Sequence, residues 1–224
     1  MSMKHTESAA RAGEQEIILV RHGQSTANAT GVWQGQLDYP LSEEGRRQAA
    51  AAGRALRDTE LSGVYASPLS RAFETAEIVA REAGFPGGVV PLPDLTERGG
   101  GVLEGLTWEE QETRNPEFVS KFLALPEEER WTLAGAEADE EILARFERAL
   151  SKIRSRHPEN DGSLVIVSHG GSMRAFLRDI YGPEILPGHK RASNCSFTRL
   201  LWNPSAPDAD PKLLELASTR HLSL

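Results

Sequence analysis

Two short apolar runs, residues 16–20 (EIILV) and 163–168 (SLVIVS), are each followed almost at once by His-Gly. Runs this short and uniformly apolar read as strands buried on both faces, the mark of a parallel sheet. Helical spacing fills the intervals. Ser42 is an N-cap with Glu43 and Glu44 in the first turn, and Ala49, Ala52 and Leu56 continue one face to about Arg57. A strand at 63–66 leads to Ser67-Pro68, which reads as the N-cap and first residue of a helix ending near Gly84. A short strand at 89–92, a helix at 137–156 and a helix at 172–181 follow. Strands at 196–202 and 212–217 pair around the turn-rich NPSAPDADP. The alternation predicts an α/β three-layer sandwich, with a mostly parallel central sheet and helices on both faces.

The 224 residues suffice for one sizeable core, and no repeat or linker divides them. One domain over 15–224 is expected after a disordered polar leader at 1–14. Residues 94–136 read as an insertion over the sheet edge. Gly99, Gly100 and Gly101 make a loop, and short helices between Trp108 and Arg130 are broken by Pro116 and Pro126. A net charge of −8 argues against nucleic acid as a partner, since such binding runs on phosphate neutralisation. No apolar run is long enough for a membrane span, and the leader has no apolar signal region. Cys195 is the sole cysteine, so no disulfide within the chain and no thiolate zinc cluster can form. A cytoplasmic location is expected.

Ligands of open α/β sheets lie at the carboxyl ends of the strands. Arg21-His22-Gly23-Gln24-Ser25 follows the first strand, Arg71 the second and His169-Gly170-Gly171 the SLVIVS strand. Two histidines and two arginines would then meet in one crevice. Arginine forks suit a phosphoryl group, and a histidine nitrogen can attack phosphorus and split one hard step into two.

Four segments occur in order: LVRHGQSTAN (19–28), SPLSRAFETA (67–76), LTERGGGVLEG (95–105) and VSHGG (167–171). With them the chain resembles the histidine phosphatase superfamily, also called phosphoglycerate mutase-like, over residues 16–202. The resemblance implies that His22 is a nucleophile forming a phosphohistidine. It implies a phosphate pocket lined by Arg21, Arg71 and His169, which if protonated would stabilise the equatorial oxygens. Asn28, Gly170 and the helix start near Gly171 would add phosphate donors. Glu97 would be the general acid, with Glu104 structural. Gln24, Gln34 and Gly35 would face the substrate, and Asn194 would order the pocket. Gly99-Gly100 departs from the bulkier or acidic residues usual there. No metal and no cofactor is implied. His5, His157, His189 and His221 read as surface residues.

The expected substrate is a small phosphate ester. Between Glu109 and Glu141 stand 11 acidic residues against Arg114, Lys121 and Arg130. An acidic cover disfavours a second negative charge on the substrate, and VLEG (102–105) resembles the phosphatase branch. A phosphatase is therefore expected ahead of a phosphoglycerate mutase, and both ahead of a regulatory protein on the same fold. No G-x-S-x-G elbow is present, so the HGG at 169–171 is not part of an esterase. A free sheet edge near the C-terminal strands suggests a homodimer.

Overall fold

The computed structural model describes residues 14–157, 162–186, 192–203 and 210–223. Residues 1–13 of the expected leader, residues 204–209 of the turn-rich segment, His5 and His189 lie outside the described residues.

Six strands form one sheet: β1 (Gln15–Arg21), β2 (Leu61–Ala66), β3 (Val89–Pro91), β4 (Ser163–Ser168), β5 (Phe197–Trp202) and β6 (Lys212–Ser218), in the order β3-β2-β4-β1-β5-β6. β1, β2, β3 and β4 pair in parallel, whereas β5 runs antiparallel to β1 and β6 antiparallel to β5. The mostly parallel sheet is thus as expected, and antiparallel pairing is confined to its C-terminal side.

Alternation along the central strands builds two cores. Ile17 and Leu19 of β1 with Leu164 and Ile166 of β4 face one side. There they meet Phe146 and Ile153 of α7 (Asp139–Arg154) and Phe176 and Leu177 of α8 (Gly170–Tyr181). Ile18, Val20, Val165 and Val167 face the other side, against Ala49 and Ala52 of α2 (Glu43–Ala55) and Ala76 and Val79 of α3 (Ser70–Ala83). Small residues on the α2–α3 side let those helices approach closely. Both faces of β1 and β4 are covered, which is why they carry uninterrupted apolar runs.

Ser42 caps α2 as expected, its Oγ accepting from the Gly45 N–H at 3.0 Å. A short helix the periodicity did not announce, α1 (Thr26–Thr30), follows the RHG loop. It is held by a reciprocal cap: Ser25 Oγ accepts from Asn28 N–H, and Asn28 Oδ1 accepts from Ser25 N–H. The expected cap at Ser67-Pro68 is corrected. α3 begins at Ser70 with Leu69 in the cap position, and no side chain caps it. Ser67 belongs to the strand end instead, its N–H donating to Val167 O at 3.0 Å. Residues 94–136 fold into 3-10 turns at Pro93–Leu95 and Gly101–Leu103 and three helices, α4 (Trp108–Arg114), α5 (Pro116–Ala124) and α6 (Glu127–Ala134). They have their own small core around Leu103, Phe122 and Ala134. Among the described residues no helix is long and apolar enough to cross a membrane.

One close approach fixes the loop after β1. A Cβ on Gly45 would lie 2.0 Å from Gln24 O, and one on Gly23 would lie 2.6 Å from Gly45 O. The first turn of α2 therefore rests directly on the backbone of the loop. Gly45→Ala is expected to force these backbones apart, costing about 1–3 kcal/mol of stability as overpacking does. The shift of the urea unfolding midpoint measures it.

Candidate active site

The register of the sheet assembles the site. Arg21 stands opposite Ser168, and His22 N–H donates to Ser168 O at 3.0 Å. The next residue on each chain is a histidine, so the rings of His22 and His169 come together with centroids 5.0 Å apart. His22 Nδ1 lies 2.7 Å from Gly23 O. A carbonyl only accepts, so Nδ1 carries the proton and Nε2 keeps its lone pair. His169 Nε2 lies 2.7 Å from Ser67 Oγ.

Arg71 is the largest fully buried side chain among the described residues. Its two terminal nitrogens donate to Leu37 O and Gly35 O, both at 2.8 Å, and hold the 35–37 loop. Arg21 donates to Ala192 O. Part of each fork is thus spent on backbone, while a guanidinium has five N–H donors to distribute. Asn194 Nδ2 bridges His22 O at 2.9 Å and Asn28 Oδ1 at 3.2 Å, so Asn194 orders the loop as expected. Cys195 adopts φ 53°, and its carbonyl lies 2.9 Å from His221 Nε2. His221 is buried and stacks on Phe197 at 4.0 Å, which corrects its reading as a surface residue. His157 is likewise half-buried, 2.8 Å from Tyr65 OH.

Burial, then His169, Arg21 and Arg71, push His22 well below the ordinary histidine value. Burial, then Arg71, Arg145 and Arg21, do the same to His169. Burial and these arginines thus oppose the protonation on which the charge-stabilising role of His169 depends.

Glu97 lines the same cavity as His22, Arg21 and Arg71, and the cavity encloses about 270 Å³. Its carboxylate accepts from Arg98 N–H at 2.8 Å, Gly171 N–H at 3.0 Å and Ser172 N–H at 2.9 Å. The Gly171 and Ser172 N–H groups in the first turn of α8 are thus engaged by Glu97 rather than open to phosphate. Gly171 lines the cavity, and Gly170 is not among its lining residues. Arg145 braces the Glu97 loop from α7, donating to Asp94 O, Thr96 O and Ser172 Oγ while its fork is paired with Glu137. Glu104 is structural, accepting from Gly100 N–H and Gln36 N–H.

Asn28, Gln34 and Gly35 line the cavity. Gln24 does not belong to it: its Oε1 accepts from Ser42 Oγ, so its reading as a substrate contact is corrected. The outer wall holds residues that sequence reasoning missed. Arg98 stacks on Trp131 at 4.7 Å and pairs with Asp139. Arg174 pairs with Glu127 at 2.6 Å, and Glu127 also binds Arg178. Arg98 sits beside Glu97 in sequence and Ser172 and Arg174 just beyond the HGG, so only their neighbours gave a signal. Of the 11 acidic residues counted in the cover, Glu127 alone lines the cavity among the described residues, and two arginines neutralise it. The acidic composition of the cover therefore does not load the site with negative charge.

Comparison with known proteins agrees with this geometry. The model of the histidine phosphatase superfamily (branch 1) matches residues 17–210. The chain is 38% identical over 165 residues to a metal-independent phosphoserine phosphatase of Arabidopsis thaliana, covering 73% of this chain and 68% of that one. It is 32% identical over 223 residues to a protein of Yersinia enterocolitica named "probable phosphoglycerate mutase", covering 93% and 95%. Among solved structures, a mycobacterial glucosyl-3-phosphoglycerate phosphatase superposes with a TM-score of 0.77 at 26% identity, covering 92% and 100%. The fold also matches phosphoglycerate mutase from Bacillus anthracis, with a TM-score of 0.80 at 20% identity, covering 95% and 96%. With the RHG and HGG loops joined at neighbouring strand ends and the family model spanning nearly all of it, this chain belongs to the histidine phosphatase superfamily, branch 1.

Proposed function

We propose that this protein hydrolyses phosphate monoesters of small metabolites through a phosphohistidine at His22. One observation carries the reading: the Nδ1 bond to Gly23 O leaves a neutral ring with its Nε2 lone pair available, in a cavity shared with Arg21, Arg71 and Glu97.

The ester's phosphoryl oxygens lie against Arg21 and Arg71, with Asn28 as a further donor. These contacts stabilise the charge that spreads over the equatorial oxygens during transfer. His22 Nε2 attacks phosphorus, the P–O ester bond breaks, and the leaving oxygen takes a proton from Glu97. Water then attacks phosphorus and gives its proton to Glu97. The N–P bond breaks, phosphate leaves, and His22 is regenerated. The hydrogen bonds to Arg98, Gly171 and Ser172 fix the aim of Glu97.

The outer wall favours an ester with a second acidic group, because Arg174 and Arg178 together outweigh Glu127 there, while Arg98 is balanced by Asp139. Phosphoserine is the first ester to try, on the name of the 38%-identical relative. A phosphoglycerate mutase is the second reading, favoured by the same arginines and by the relative that aligns over 93% of the chain. A homodimer across the free edge of β6 and a cytoplasmic location belong to the same proposal.

Phosphate release from a panel including phosphoserine and 3-phosphoglycerate separates these readings. Wild type is expected to release phosphate and His22→Ala to release none. Formation of 2-phosphoglycerate without phosphate release would establish the mutase instead. Glu97→Gln is expected to lower kcat about 10²–10⁴-fold on alkyl esters, and far less on p-nitrophenyl phosphate, whose leaving group needs no proton. Equal losses on both substrates would remove Glu97 as the acid.

The lowered His22 and His169 also set a pH dependence. Both rings resist protonation when folded, so the unfolded chain binds more protons as the pH falls below the ordinary histidine value of about 6.5. Stability is therefore full above that value and declines below it. The urea midpoint of wild type is expected to drop more between about pH 7.5 and pH 5 than that of His22→Gln.

A further inference from the structure

The two ring nitrogens of His169 are placed unequally. Nε2 lies 2.7 Å from Ser67 Oγ, whereas Nδ1 is buried without a hydrogen-bond partner among the described residues. Ser67 is fully buried, and its backbone N–H is tied to Val167 O of β4, two residues before His169. The serine and the histidine therefore sit on adjacent strand ends and cannot drift apart independently. Ser67 Oγ also accepts from Leu69 N–H at 3.3 Å. Among the described residues, His169 Nε2 is the one acceptor within reach of the hydroxyl proton.

We propose that Ser67 is a positioning residue: it donates its hydroxyl proton to His169 Nε2 and so holds His169 as the Nδ1–H tautomer. The buried Nδ1–H is then a donor kept for a phosphoryl oxygen. With the opposite tautomer, Ser67 O–H would have no acceptor, and Nδ1 would turn a lone pair toward an anionic substrate. Arg71, Arg145, Arg21 and His22 surround the ring and oppose a second proton on it. A neutral ring has one N–H to offer, and the serine decides where it is. This inference rests on the phosphatase reading for its consequence, and on the geometry alone for the tautomer.

Long-range ¹H–¹⁵N correlation on the full chain labelled at histidine, without substrate, reads the tautomer directly. The His169 signals are identified by their loss in His169→Gln. The proton is expected on Nδ1 in wild type and is expected to move wholly or partly to Nε2 in Ser67→Ala. Ser67→Ala should lower kcat roughly tenfold to a hundredfold, the scale of one hydrogen bond to a charged group, and Ser67→Thr should restore both tautomer and rate. A wild-type proton on Nε2, or a Ser67→Ala protein with unchanged tautomer and kcat, overturns the proposal. If Ser67→Ala does not fold, the wild-type and Ser67→Thr spectra decide alone. Failure of the phosphatase reading would appear as absent phosphate release with the spectrum unaffected, so the two remain distinguishable.

Discussion

The parallel pairing of β1 with β4 is the contact on which the rest depends. It joins residues separated by most of the chain, and its last rung, Arg21 against Ser168, delivers His22 and His169 side by side. A slip of one residue would turn each side chain to the opposite face of the sheet. The two cores prevent that slip. Ile17, Leu19, Leu164 and Ile166 must face α7 and α8, and their alternates must face α2 and α3. Packing of apolar side chains thus sets a register whose chemical result appears only at the strand ends.

Holding so many polar groups in a buried site is costly, since an unpartnered buried donor loses its hydration. The molecule meets that cost with backbone. Arg71 is anchored by the carbonyls of the 35–37 loop, although its Nε stays buried without a partner among the described residues, Arg21 is anchored by Ala192 O, and Glu97 by the Gly171 and Ser172 N–H groups. Most of these partners are main-chain atoms, which lack side-chain freedom and so fix direction well. Arg145 adds a further brace by tying Asp94, Thr96 and Ser172 to one guanidinium. Burial, and after it the neighbouring cations, hold both histidines well below the ordinary value, so that each ring keeps one nitrogen with a lone pair and one with a proton.

The covering segment shows why composition misleads about local charge. Its acidic excess is real, yet a helix displays most of its residues to solvent. Glu127 faces the cavity, and Arg174 and Arg178 of α8 answer it. These pairs join the cover to the body, so the outer wall is shared between an insertion and a core helix. Charge along a sequence therefore says little about charge at a site without knowledge of which side chains turn inward.

The sequence by itself determined the strands, the longer helices and the order of the motifs. Short apolar runs bounded by turn residues read as doubly buried strands, and helical spacing marks the longer helices. Arg21, His22, Arg71, Glu97 and His169 were legible because each stands beside a strand end or in a recognisable motif. Tertiary structure alone decided the partners. Ser67 reads locally as a helix cap, yet a ring 102 positions away takes its hydroxyl. The α8 N–H groups read as phosphate donors, yet Glu97 reaches them across 74 positions. Gln24 reads as a substrate contact, yet Ser42 holds it. A hydrogen bond acts over about 3 Å and carries no trace of sequence separation. Which donor meets which acceptor is therefore fixed only once the two cores have set the register.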